Sequence, residues 1–213
     1  RHNGACHNRL PAWILCRLSG SGVFTTEMTY VQTYKERANP APLPVAVAGG
    51  ARQQFDLPAL ITAFCSWYKQ VLAERNLQLR TKISDAIPRY FFGNPLLTRH
   101  LLFATARNSL LYLGTDTIFL EIEPEQLAGR RYEIHVNITS PGKGMPPAKE
   151  KDLFQPSPEQ SKQTARDNFS SRSANLYYAG VIATILGGGI RVENRFGFGT
   201  RYQVNVRLLS SPI

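Results

Sequence analysis

Apolar positions along this chain change period several times, and each change marks an element. From residue 56 onward, Leu60, Ile61, Phe64, Trp67, Tyr68, Val71 and Leu72 recur at helical spacing. Asp56 stands where a helix cap belongs and Pro58 falls in the first turn, so a helix is expected over 56–74. Residues 77–83 alternate as a strand does, with Leu77, Leu79, Thr81 and Ile83 on one side. Residues 95–113 form a strongly apolar helical segment. Two alternating runs follow at 117–123 and 132–139, with Ile118, Leu120 and Ile122 on one and Ile134, Val136 and Ile138 on the other. Residues 141–172 are rich in Pro, Gly, Lys, Ser and Gln and read as a long loop. A helix over 175–186 and a hairpin, 190–193 with 200–208 around Gly197-Phe198-Gly199, close the pattern. The expected fold is α+β, an α/β sandwich whose mixed sheet carries its three helices on one face.

The first 52 residues read differently. Gly20, Ser21 and Gly22 interrupt two segments of helical character. In the second, 23–37, Phe24, Met28, Val31 and Tyr34 form one stripe, so 1–38 is expected to be helical. The prolines at 40, 42 and 44 stop any helix, which makes 39–52 a linker with a short strand at 45–48. The larger domain then occupies 53–213. No apolar run is long enough to cross a bilayer as a helix. The three cysteines, Cys6, Cys16 and Cys65, show neither zinc-site nor disulfide-framework spacing. The chain begins at Arg1 without the layout of a signal peptide, and the expectation is a piece of a longer protein.

Composition adds one constraint. Lys and Arg number 25 against 15 Asp and Glu, a net charge of +10, while 43% of residues are hydrophobic, enough to build a core. The basic residues are scattered, and no zinc-finger spacing or aromatic-basic RNA signature is present. Acidic protein partners suit such a charge better than nucleic acid does.

The local motifs bring a resemblance. Phe55-Asp56-Leu57 resembles the opening of the ATP-binding domain of sensor histidine kinases, a member of the Bergerat (GHKL) fold. The segment 99–112, RHLLFATARNSLLY, is similar to the N-box helix of that family. Residues 138–145, ITSPGKGM, resemble its G1 box, V-x-D-[TN]-G-x-G-I, and Asp152-Leu153-Phe154 its F box. The tail, GGGIRVEN at 187–194 followed by Gly197-Phe198-Gly199-Thr200, resembles the family's final GG-x-I-x-V-x-S-x-x-G-x-G-[ST] without a gap.

The resemblance implies an ATP site, and the departures from it are as informative as the matches. Ser140 stands where the family has the acidic residue that accepts the adenine amino group, while Gly142 and Gly144 keep the turn beside it. A serine cannot supply the same charge-assisted bond. Asn108 aligns with the N-box asparagine that holds magnesium through the nucleotide, but Ala104 and Leu111 replace its companion asparagine and basic residue. Ser171, Ser173 and Asn175 occupy the G2-box glycine positions, with Arg172 between them as a residual anion contact. The phosphoacceptor candidate is His7, in His7-Asn8-Arg9-Leu10-Pro11, which lacks the acid and one residue of spacing found in the family motif.

Three readings follow. The first is a signal-transduction module of a bacterial two-component or phosphorelay system, a degenerate kinase domain with weak or absent Mg-ATP or ADP binding. It would dock a response-regulator receiver or histidine-phosphotransfer domain, dimerise through 1–38, and form the cytoplasmic part of a longer inner-membrane protein. The second is a divergent but active histidine kinase that binds Mg-ATP and autophosphorylates on histidine. The third is a basic nucleic-acid-binding protein.

Overall fold

A computed structural model describes residues 30–33, 51–111, 114, 116–146, 149, 153–155 and 176–212. In chain order the elements are β1 (Tyr30–Thr33), β2 (Gln53–Asp56), α1 (Leu57–Ala73), β3 (Gln78–Ile83), β4 (Tyr90–Gly93) and α2 (Pro95–Ser109). They continue with β5 (Thr117–Gln126), β6 (Arg131–Pro141), α3 (Leu176–Ile185), β7 (Gly189–Arg195) and β8 (Gly199–Ser210).

Helix α1 starts as its sequence dictates. The Asp56 carboxylate accepts the Ala59 N–H at 2.8 Å, with a proline in the first turn. Its second oxygen accepts from Arg89 Nε at 2.8 Å, and this partner holds the Asp56 carboxyl below the usual carboxylate range. One stripe of the helix, including Leu57, Ile61, Phe64, Tyr68 and Leu72, is buried. The helix ends at a left-handed Asn76 (φ +58°), which lets the Leu77 N–H return to the Leu72 carbonyl. Helix α2 is capped by Asn94, whose side chain accepts the Leu97 N–H at 3.0 Å. The two helices join through aromatic rings, with Trp67 and Phe103 stacked at 4.1 Å and Phe64 near both.

The eight strands form one mixed sheet. Its main path runs β1-β7-β8-β6-β5-β3, and β4 pairs with the far end of β8 while β2 pairs with β4. Only the β3–β5 pair is parallel among these. Strand alternation sorts the two faces. Ile118, Leu120, Ile122, Ile134, Val136, Ile138, Ile190, Val192, Val204 and Val206 are buried in one cluster with the three helices. The opposite face carries Glu121, Glu133, His135, Arg191, Arg201 and Arg207, linked in part by ion pairs such as Arg207–Glu133 at 2.8 Å. Each large apolar side chain moved wholly into that core contributes about 1.5–3 kcal/mol.

Three expectations change. Tyr30–Thr33, read as part of a helical stripe, is a strand antiparallel to β7, with Tyr30 opposite Asn194. A Tyr-Val-Gln-Thr run fits a pleated edge, and β7 offers unpaired backbone groups to it. The remainder of 1–38, the expected 45–48 strand, and most of the 141–172 loop lie outside the described residues. Helix α2 stops at Ser109 rather than continuing to 113, because Leu110 and Leu111 turn back onto Arg107 and Asn108. Finally, β2 and β4, each four residues long, add a branch to the sheet that periodicity did not mark. No helix among the described residues is long and apolar enough to cross a membrane.

Candidate functional site

The C-terminal end of α2 should leave carbonyls without helical partners. Here side-chain hydroxyls from distant elements meet them. Ser140, near the end of β6, donates to the Ser109 carbonyl at 3.0 Å. Tyr202, on β8, donates to the Asn108 carbonyl at 3.2 Å. Ser109 turns its own hydroxyl back to the Ala106 carbonyl at 2.7 Å and takes a close contact from the Tyr68 hydroxyl of α1. All of these residues are buried, and burial pushes the Tyr68 phenol well above its ordinary range, against the smaller opposing pull of its bond to Ser109.

Beyond Ser140 the chain enters the glycine loop. Gly142 and Gly144 have φ of +127° and +67°, a region that other residues rarely enter. A Cβ on Gly142 would collide with the Gly114 backbone, and one on Gly144 would press the Arg195 carbonyl and the Asn194 side chain. The loop is clasped to the β7–β8 hairpin. Gly142 N–H donates to the Phe198 carbonyl at 3.0 Å, and Gly197 N–H to the Lys143 carbonyl at 2.8 Å. Asn194 holds Met145 from both sides, accepting its N–H at 2.7 Å and donating to its carbonyl at 2.9 Å. Thr200 also donates to the Asn194 amide oxygen, at 2.8 Å. Two amides of the glycine loop, those of Gly142 and Met145, are therefore bonded within the protein.

Of the expected site residues, Ser140 meets the end of α2 next to Asn108, and Gly142 and Gly144 follow in the loop after β6. Asn108 is 3% exposed, and its side-chain amide donates to the Ala104 carbonyl one turn back at 2.8 Å. Ser140 is 2% exposed and committed to Ser109. His7, Ser171, Arg172, Ser173 and Asn175 lie outside the described residues. From the F-box match, Phe154 is buried in the core.

A cleft of about 540 Å³ opens beside the glycine loop. Leu111, Gly114, Gly142, Pro146 and Phe196 line it, and Lys143 is the charged residue among the described residues of its lining. Neither Ser140 nor Asn108 reaches it. A second polar group sits on the opposite sheet face, where Glu125, Glu133 and His135 bring potential metal-ligand atoms within 4.8 Å of one another. His135 already contacts Glu125 at 2.9 Å and Arg207 is bonded to Glu133 at 2.8 Å. Burial would raise the Glu133 carboxyl, but hydrogen bonds from Arg207 and Asn205 outweigh it and hold the group below its ordinary value.

In the sequence no polar role at the site attached to Tyr68, which fell in a helical stripe, to Asn194 and Thr200, which fell in the tail motif, or to Tyr202. A usable signal existed for Asn194, a polar residue on the inward register of β7 behind Ile190 and Val192, at the serine position of the tail motif.

No family model and no curated protein matches the chain. Among solved structures it is similar to full-length ShkA, a hybrid histidine kinase, in complex with AMPPNP. The match has a TM-score of 0.58 at 14% identity, and covers 78% of this chain and 33% of that one. The chain spans about a third of that protein's length. At this identity the likeness is one of fold, the helix-covered mixed sheet.

Proposed function

We propose that this chain is a degenerate histidine-kinase-type domain of a two-component or phosphorelay protein, one that binds Mg-ATP or Mg-ADP weakly or not at all. Its role is to dock an acidic receiver or histidine-phosphotransfer domain. The observation that carries this reading is the commitment of Ser140. At the position where the family resemblance calls for an adenine-binding carboxylate, a buried hydroxyl donates to the end of α2 instead. Asn108 and the loop amides are engaged in the same inward manner. The glycines are retained where a side chain would strike neighbouring backbone or Asn194, so packing alone accounts for them.

The partner claim rests on charge. A +10 chain attracts an acidic domain over distances comparable to the Debye length, about 10 Å at 0.1 M salt, and this speeds encounter more than it tightens the complex. Titrating purified acidic receiver domains into the protein at low and at raised salt tests it. Weak binding that fades with salt is expected. Failure of all receivers at low salt, together with tight duplex-DNA binding, would replace this reading with the nucleic-acid one.

The active-kinase alternative draws on the retained Asn108 and on the positive φ of Gly142 and Gly144. Autophosphorylation with labelled ATP decides between them. The degenerate reading expects no label on His7, and stoichiometric label would establish the active one.

A further inference from the structure

Aromatic side chains at the tip of a hairpin call for a reason to be in water. Phe196 is 61% exposed and Phe198 40%, and Leu111 across the cleft is 54% exposed. Exposed large apolar groups gathered around one concavity mark contact surfaces more often than lone ones do. Here Leu111 and Phe196 line the cleft beside the glycine loop, whose lining does not include the buried Ser140 and Asn108, and Phe198 stands two residues beyond Phe196. Lys143 lines the cleft, and at the same hairpin tip, on either side of the lining residues Phe196 and Gly197, the Arg195 guanidinium lies 4.1 Å from the Phe198 ring centroid. Among the described residues no carboxylate lines the cleft.

We infer that this cleft is the docking site for an acidic protein segment that inserts one aromatic or aliphatic side chain between Leu111 and Phe196, with its carboxylates meeting Lys143 and Arg195. The inference rests on the partner-docking reading above and gives that reading a place on the molecule. Gly114 and Gly142 line the cleft with backbone, and they approach so closely that a Cβ on either would strike the other's backbone. The glycine loop that resembles a nucleotide element would thus line a protein-binding pocket. Arginine and aromatic residues are the types that dominate interface energetics, and both stand at this rim.

The test uses the whole chain and two kinds of probe. The first is a short fluorescent acidic peptide with a single phenylalanine, compared with the same peptide bearing alanine there and with a basic counterpart. The second is the set of purified acidic receiver domains. Both are titrated against the wild type, Phe196→Ser and Lys143→Glu. Phe196 and Lys143 are exposed, so the variants should keep the wild-type melting curve. The expected result is binding of the phenylalanine peptide at low salt, weakened by about tenfold for each variant and for the alanine peptide. Equal binding by all peptides, no binding at all, or binding indifferent to both substitutions overturns the site. If receivers bind wild type and Phe196→Ser equally, the docking function stands and this surface is not where it happens. If the peptide binds as expected and no receiver does, the surface stands and the receiver reading falls.

Discussion

The two ends of α2 are held by opposite means. At its start, Asn94 caps the helix from the adjoining position, accepting the Leu97 N–H, and the Thr98 hydroxyl bonds back to the Asn94 carbonyl. At its finish, the carbonyls of Asn108 and Ser109 are met by Tyr202 and Ser140, from strands far along the chain. The first end is a local device, and the second is tertiary. The tertiary end is also where the family resemblance places nucleotide recognition. In this protein that end belongs to the fold's own hydrogen bonding, and the exposed aromatic residues Phe196 and Phe198 stand apart from it at the hairpin tip.

The largest expected effect comes from forcing the tertiary end back toward the family pattern. Ser140→Asp buries a carboxylate against carbonyl oxygens, where it cannot donate, and should cost about 3–5 kcal/mol by urea unfolding at neutral pH. Burial raises the folded-state pKa of such a group. The penalty is therefore absent below the unfolded value of about 3.9 and grows as pH rises above it. A variant as stable as wild type would show that Ser140 is not tied to Ser109. Next comes Asn194→Ala, which leaves the Met145 amide, its carbonyl and the Thr200 hydroxyl without their partner. A loss of about 2–3 kcal/mol is expected, with faster hydrogen exchange at the Met145 amide; unchanged exchange there would mean the clasp does not hold the loop.

At the local end, Asn94→Ala should cost about 1 kcal/mol and leave the exchange at Met145 alone. If it loosens both ends equally, the helix behaves as one unit and the contrast fails. The smallest effect belongs to α1. Arg89 and the Ala59 amide depress the Asp56 pKa, so this contribution is present above the unfolded carboxyl value and is lost as pH falls through the lower folded value. Asp56→Asn should separate from wild type at neutral pH and converge with it in acid. A constant gap across the range would assign the cap's effect to geometry without charge.

Local chemistry explains what could be read from the sequence. Asp56 and Pro58 announced α1, and the alternation of Ile118, Leu120 and Ile122 announced a strand, because each signal lies within the element it specifies. Tyr30–Thr33 misled because a short apolar spacing fits a helix, whereas its actual partner, β7, lies more than a hundred residues away. At the site, the glycines and the replaced acid were legible as residue types. The direction of the Ser140 hydroxyl was not, since it depends on where β6 meets the end of α2. The same holds for Asn194, whose amide copies a strand's hydrogen bonding toward Met145 only once the hairpin is built.

The central claim is that the polar atoms at the base-recognition position serve the fold and are not left for a nucleotide. Isothermal calorimetry of the wild-type chain with Mg-ATP and Mg-ADP tests it most directly. Binding too weak to detect, or with a dissociation constant of about 1 mM or weaker, is the predicted result. A dissociation constant of about 1 μM or tighter would contradict it.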